Sequence, residues 1–174
     1  MGGAVELKDY IREVPDFPRP GISFKDITPL LKDPAAFRHV LERFSDIYSE
    51  RDVDVVVGIE ARGFLFAAPL AVRLERPLIL VRKKGKLPYE TSSVAYALEY
   101  GDSAVEVQTD AIIPGQRVLI VDDLLATGGT LAASTRLVEQ SGGQVAGHAV
   151  VIELVDLRGR DRLRGYAVVS LVQY

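Results

Sequence analysis

The densest chemistry in the chain lies in Val118-Leu-Ile-Val-Asp-Asp-Leu-Leu-Ala-Thr-Gly-Gly-Thr130. An apolar run ends in two adjacent carboxylates, Asp122 and Asp123, and a small, hydroxyl- and glycine-rich turn then opens a helix at Thr130. Ala126, Thr127, Gly128, Gly129 and Thr130 can turn backbone N–H groups and two hydroxyls toward a phosphate, an anion that a helix N-terminus favours. The carboxylates can accept hydrogen bonds from vicinal sugar hydroxyls or help to hold a divalent cation. A capped strand-to-helix turn uses the same residue types, and for the Asp pair alone the two readings weigh equally. The full segment favours phosphate binding.

Such groups need a rigid frame, and the chain can build one. Its 174 residues, 48% hydrophobic and 26% charged, suffice for one globular domain with a real core. Asp54 to Ile59, Pro77 to Val81, Arg117 to Asp122 and Gln144 to Leu154 are short apolar runs rich in β-branched residues, the pattern of parallel strands covered on both faces. Helical stretches alternate with them: Phe64 to Leu74, Thr130 to Gln140, and a helix after Asp33-Pro34 in which Phe37, Val40, Leu41, Phe44 and Ile47 recur at helical spacing. The alternation predicts an α/β sheet with functional loops at the carboxyl ends of its strands. Leu7 to Val14 reads as a short amphipathic helix, followed by an ordered loop carrying Pro15, Pro18, Pro20 and Gly21. Arg82 to Asp110 reads as a long mobile loop with a hairpin, weakly alternating from Tyr96 to Val107.

Composition removes several classes. With no cysteine, thiolate nucleophiles, disulfide scaffolds and cysteine-built metal sites are excluded. His39 and His148 lie far apart and match no motif, which leaves them structural. A formal charge of -3 argues against attraction to bulk nucleic acid or an anionic membrane, so a basic site has to be local. Without a signal-peptide pattern or a membrane-length apolar run, a soluble cytoplasmic protein is expected.

The Asp-Asp segment resembles the phosphoribosyl-diphosphate (PRPP) signature of the type I phosphoribosyltransferases, in the form used by the adenine branch of that family. Four further blocks resemble the same branch, in its order: Phe17-Pro-Arg-Pro-Gly-Ile-Ser-Phe-Lys-Asp-Ile-Thr28, Glu60-Ala-Arg-Gly-Phe-Leu-Phe66, Arg82-Lys-Lys-Gly-Lys-Leu-Pro88 and Leu98-Glu-Tyr-Gly101. The resemblance spans essentially the whole chain. It implies a single domain over 1–174: a central, mostly parallel twisted sheet flanked by helices, a small N-terminal hood over 1–33, a core over 34–174 and a flexible loop over about 82–110. The implied activity is transfer of the phosphoribosyl group from PRPP to N9 of adenine, yielding AMP and diphosphate in adenine salvage. Mg²⁺ would ride on the diphosphate, with no direct protein ligands.

Residue roles follow from the resemblance. Thr127 to Thr130 would hold the 5′-phosphate, and Asp122 and Asp123 the ribose hydroxyls. Arg62 and Gly63, on a loop that often carries a cis Glu60–Ala61 bond in similar enzymes, would approach the diphosphate together with Lys83 and Lys86. Arg82 would serve the site of a second subunit, which implies a homodimer. Glu99 would hydrogen-bond the base or relay its proton. Ser23, Phe24 and Lys25 would give backbone and stacking contacts to adenine, with Leu154 on the other side. Lys25 stands where this family more often has Arg, which puts a planar guanidinium contact there in doubt.

Plainer uses exist for each: Arg62 as a surface residue near a helix start, 82–86 as a solvated basic loop, Phe24 as core, Glu99 as a solubilising charge. Two other functions share much of this pattern. One is transfer to hypoxanthine, guanine or xanthine; the other is a PRPP-binding transcriptional regulator, for which the chain lacks a spare DNA-binding segment or basic stripe.

Overall fold

The structure is a computed structural model that describes residues 5–49, 51–97 and 102–174. The chain forms two compact units, residues 1–43 and 44–174.

The N-terminal unit corrects one expectation. A 3-10 turn, Leu7–Tyr10, stops where a helix to Val14 is predicted, and β1 (Arg12–Val14) pairs antiparallel with β2 (Phe24–Asp26). Ile11 is already extended, at φ -112° and ψ 116°. Opposite charges face each other across the ladder: Arg12 Nε lies 3.7 Å from Asp26 Oδ2, and Lys25 Nζ 2.9 Å from Glu13 Oε2. Such cross-strand pairs stabilise a ribbon, and their partners lie outside the local window from which a helix is read. The proline-rich connection is ordered as expected, with Gly21 N–H donating to Asp16 Oδ1 at 2.7 Å. After α1 (Thr28–Lys32), Asp33 caps α2 (Pro34–Tyr48), its Oδ1 accepting from Ala35 and Ala36 N–H at 2.9 Å each. Ala36, Val40, Phe44 and Tyr48 form the fully buried stripe of α2, with Phe37, Leu41 and Ile47 beside it.

The second unit is built on a sheet of seven strands: β3 (Val55–Ile59), β4 (Leu78–Lys83), β5 (Thr91–Ala97), β6 (Asp102–Gln108), β7 (Arg117–Leu125), β8 (Gln144–Glu153) and β9 (Val168–Gln173), ordered β5-β6-β4-β3-β7-β8-β9. The strands from β4 across to β9 are parallel, and β6 and β5 add antiparallel at one edge. The chain crosses from β3 to β4 through α3 (Gly63–Leu74) and from β7 to β8 through α4 (Gly129–Gln140). Those crossovers leave the β3/β7 pair in opposite directions, so the strand order reverses between them. In open α/β sheets that reversal leaves a crevice at the carboxyl ends of the strands.

The covered-on-both-faces reading holds for β3, whose five residues are all buried, and for most of β7 and β8. It fails for β4. Ile79 and Val81 join the core with Leu131 and Leu137 of α4, whereas Leu78 and Leu80 are 38% and 37% exposed. The reason is placement: α3 packs mainly on β3 and β7 and covers that face of β4 only in part. Between Arg82 and Asp110 the expected hairpin is present as β5 and β6, and most of the described residues are strand rather than loop. Val94, Val105 and Val107 are buried there. A further strand, β9, is missing from the strands expected above although its run Val168-Val-Ser-Leu-Val172 is of the same β-branched kind. Among the described residues no helix is long and apolar enough to cross a membrane.

His148, fully buried on β8, behaves as a structural histidine. Thr135 Oγ1 donates to Leu131 O, so at 2.9 Å it accepts from His148 Nε2–H, and Nδ1 is left without a partner among the described residues. A protonated ring would bury a charge that the Ala167 backbone only partly offsets. Burial accordingly brings the pKa down to about 4 from 6.5. Above pH 6.5 the ring is neutral folded or unfolded; below it the unfolded chain takes a proton that the native chain refuses, so stability falls as pH falls toward 4. Between pH 7 and pH 4 the native protein is expected to lose roughly 3 kcal/mol more than His148→Gln, measured as the difference in urea unfolding free energy at the two pH values.

Candidate active site

A cavity of about 320 Å³ opens at the sheet's reversal point. Its wall is drawn from the loop after β3 (Glu60, Ala61, Arg62), the end of β4 (Lys83), the outer part of β7 (Asp122, Asp123), the turn into α4 (Ala126 to Thr130) and, from the hairpin, Tyr96 and Val105. Most of the phosphate, ribose and diphosphate candidates therefore meet in one place. Gly63, Arg82, Lys86 and Leu154 are not on this wall. Ser23, Phe24 and Lys25 belong to the N-terminal unit, where Phe24 stacks edge-on against Phe17 with ring centres 5.1 Å apart. Glu99, like the whole Leu98-Glu-Tyr-Gly101 block, lies outside the described residues.

β7 runs past the expected end at Asp122 to Leu125, because β8 continues beside it: Asp122 lies opposite Val150 and Leu125 opposite Glu153. β3 stops pairing with β7 at Val121. The two aspartates thus stand on a stretch of strand bonded on one side and open to the cavity on the other. Arg62 answers one of them, its Nε 2.8 Å from Asp123 Oδ2. Withdrawal from water, together with the adjacent Asp123 carboxylate, pushes Asp122 well above the usual carboxylate range. Burial raises Asp123 as well, with Arg62 pulling against it. The site holds two partly desolvated acids that need hydrogen-bond donors, which a ribose supplies.

The loop after β3 contains a cis Glu60–Ala61 peptide. Glu60 ties it to the end of β4, Oε1 accepting from Arg82 Nη2 at 2.8 Å and Oε2 from Lys83 N–H at 3.0 Å. The Arg82 hydrogen bond holds the Glu60 carboxyl below its ordinary range. Arg82 Nη1 also donates to Lys86 O at 2.8 Å. Buried Glu106 gathers the turn after β4, accepting from Lys86 and Leu87 N–H at 2.8 Å each and from Thr91 Oγ1 at 3.1 Å. Lys83 is thereby aimed at the cavity from a braced strand end.

Two wall residues have roles that no local window shows. Tyr96 accepts at its hydroxyl from Thr130 Oγ1 at 3.3 Å, a contact between residues far apart in sequence. Glu60 is visible as part of a motif, but its bridging role needs β3 and β4 side by side.

A sheet that reverses between β3 and β7, with carboxylates, cations and a Gly-rich helix entrance around the crevice, defines a phosphate-ester-binding α/β class. The comparisons agree with it: the family model for the phosphoribosyl transferase domain matches residues 26–172. The adenine phosphoribosyltransferase of Clostridium perfringens is 56% identical over 98% of this chain and 99% of its own length. The crystal structure of adenine phosphoribosyltransferase from Thermoanaerobacter pseudethanolicus superposes with a TM-score of 0.94 at 52% identity, covering 97% of this chain and 98% of that one. The Saccharomyces cerevisiae enzyme, solved with an imino-altritol bisphosphate and adenine, gives 0.90 at 40% identity over 95% and 96%. The chain belongs to the phosphoribosyltransferase family and, within it, to the adenine phosphoribosyltransferases.

Gly63 shows how tightly this site is assembled. A Cβ there would lie 2.9 Å from both Asp122 Oδ1 and Val121 O and 3.1 Å from Asp122 Cα. Gly63→Ala must push the β3 loop away from β7 and is expected to cost about 1–3 kcal/mol of stability, read from urea denaturation; wild-type stability would show that the two elements separate freely.

Proposed function

We propose that this enzyme transfers the 5-phosphoribosyl group of PRPP to N9 of adenine, forming AMP and diphosphate in adenine salvage. The observation that carries the reading is one cavity whose wall combines the cations Arg62 and Lys83, the Asp122–Asp123 carboxylate pair and the Ala126–Thr130 turn. Breaking the anomeric C–O bond builds positive charge on the ribose and negative charge on the leaving diphosphate, and fixed groups of opposite sign stabilise both. Asp122 and Asp123 hold the ribose hydroxyls and face the developing cation. Arg62 and Lys83 receive the diphosphate, with Lys86 and the Gly63 backbone in support. Ala126, Thr127, Gly128, Gly129 and Thr130 bind the 5′-phosphate through N–H and hydroxyl donors at the start of α4.

Mg²⁺ carried on the diphosphate would supply neutralisation of the leaving-group charge. The acids on the cavity wall, Glu60, Asp122 and Asp123, are the residues that would face such a metal or its water shell. Ser23, Phe24 and Lys25, with Leu154, take the base. Glu99 accepts the N9 proton as the bond to C1′ forms. A cytoplasmic setting belongs to this reading, because a sugar carrying a phosphate and a diphosphate does not cross membranes unaided.

The homodimer is part of the same proposal. Exposed Leu78 and Leu80 on β4 share their side of the sheet with exposed Leu65 and Val72, two turns apart on α3. Burying a leucine is worth roughly 1.5–3 kcal/mol, and a second copy of this face, turned by a two-fold axis, would cover it. Arg82 serves the partner's site in such an assembly by exchanging its Glu60 contact.

Three measurements test these statements. Purified enzyme with PRPP and Mg²⁺ is expected to form a nucleotide from adenine far faster than from hypoxanthine, guanine or xanthine, and Asp122→Asn to lower kcat/KM for PRPP by about 10- to 100-fold with its fold intact. Equal use of the other bases would overturn the base assignment. Sedimentation is expected to show a dimer for the native chain and a monomer for Leu78→Glu/Leu80→Glu; a native monomer would remove the dimer.

A further inference from the structure

Beyond the cavity wall, the turn that opens α4 rests on a second piece of backbone. The 3-10 segment Gly159–Leu163 follows β8 and is fastened at both ends. Leu163 is buried in the core cluster with Leu131 of α4. At the other end Arg160 makes a two-pronged pair with buried Glu153, Nε to Oε1 at 2.6 Å and Nη2 to Oε2 at 2.7 Å, and its Nη1 donates to Val168 O at 3.0 Å. Ser170 Oγ and Gln173 Nε2 also donate to Glu153 Oε2, at 2.6 and 3.1 Å. The Arg160 hydrogen bonds, with those of Ser170 and Gln173, hold the Glu153 carboxyl ionised, its pKa down at about 2.

This clamp presses a glycine against the turn. A Cβ on Gly159 would overlap the Ala126 carbonyl oxygen and stand 2.6 Å from Leu125 Cδ1; a Cβ on Gly128 would overlap the Gly159 carbonyl oxygen and lie 3.1 Å from its carbonyl carbon. At both glycines the tightest contact is with a backbone carbonyl oxygen, which a side-chain rotation cannot relieve. Gly128 itself sits in the left-handed region at φ 80°, so the turn depends on its surroundings to stay in one shape. The clamp and the turn are also in register: Glu153 lies opposite Leu125, the last residue of β7, and Leu154 N–H donates to Leu125 O at 2.9 Å.

We propose that Gly159 and the Glu153–Arg160 pair are positioning residues for the 5′-phosphate: the clamp seats the Gly159 backbone behind Ala126 to Gly128 and so aims the N–H donors of the turn at the phosphate. None of the three touches the reacting atoms, and the inference rests on the phosphate assignment made above. Misplacing a binding group by an ångström is costly in a preorganised site. The diphosphate cations Arg62 and Lys83 stand after β3 and at the end of β4, away from β8, and Arg62 reaches β7 only through Asp123.

The phosphate and diphosphate subsites can be titrated separately by calorimetry, with ribose 5-phosphate for one and inorganic pyrophosphate with Mg²⁺ for the other. Gly159→Ala is expected to weaken ribose 5-phosphate on the order of 10- to 100-fold and to leave pyrophosphate within about twofold. Glu153→Gln keeps the shape, loses the ionic clamp and leaves half-exposed Arg160 to water; it shifts ribose 5-phosphate in the same direction, raises KM for PRPP and leaves KM for adenine unchanged. Val151→Ala, in the buried middle of β8, serves as the comparison: it lowers the melting temperature without separating the two ligands. If Gly159→Ala does not fold, Glu153→Gln decides. Unchanged ribose 5-phosphate affinity in the folded variants, or an equal loss of both ligands, overturns the positioning role. Failure of the native enzyme to bind either ligand would instead overturn the phosphate and diphosphate assignments.

Discussion

Everything at the cavity depends on the parting of β3 and β7. Through Val121 the two strands are hydrogen-bonded neighbours; beyond it β3 ends, while β7 continues with β8 alone. A strand buried on both faces admits few charged groups along its length, and the two carboxylates stand where one neighbour stops. Asp122 and Asp123 stand in that gap, and the loops that face it come from the two strands on either side of the reversal.

The arrangement is electrostatically costly in the free enzyme. Two adjacent acids drawn out of water repel one another and resist ionisation, and Arg62 relieves one of them at the rim. Pairs of titratable groups perturbed in this way gather at functional clefts. Elsewhere the buried charges are answered: Glu106 by the N–H groups of the turn after β4, and Glu153 by Arg160, Ser170 and Gln173. The contrast separates carboxylates that brace loops from carboxylates left ready for a ligand.

The bracing is divided by strand. Glu60 and Glu106 fix the end of β4 and with it Lys83, while Glu153 and Arg160 fix the backbone behind the turn into α4. Since β4 and β8 lie on opposite sides of the β3/β7 pair, Lys83 and the turn are held by separate networks. A ligand that spans them meets two independently positioned surfaces, which favours a geometry defined by the sheet rather than by loop adaptation.

Much of this was legible in the residues alone. The β-branched runs of β3, β7 and β8, the Asp33 cap, the Val40 and Phe44 part of the buried stripe of α2 and the Gly-rich entrance to α4 are local patterns, set by periodicity and capping within a few residues; Ala36 and Tyr48 complete that stripe in place of Phe37, Leu41 and Ile47. The Asp122–Asp123 pair and the Glu60 to Gly63 loop were likewise visible, because their chemistry is carried by contiguous side chains. Tertiary structure alone decided the rest. Arg12 to Val14 became a strand because Phe24 to Asp26 lay opposite with complementary charge. Leu78 and Leu80 were left partly exposed because α3 crosses mainly β3 and β7. Tyr96 reached Thr130, and Gly159 the carbonyl of Ala126, through contacts between distant parts of the chain. No local window records such pairings, since each depends on where the sheet places two segments whose own sequences are compatible with many neighbours.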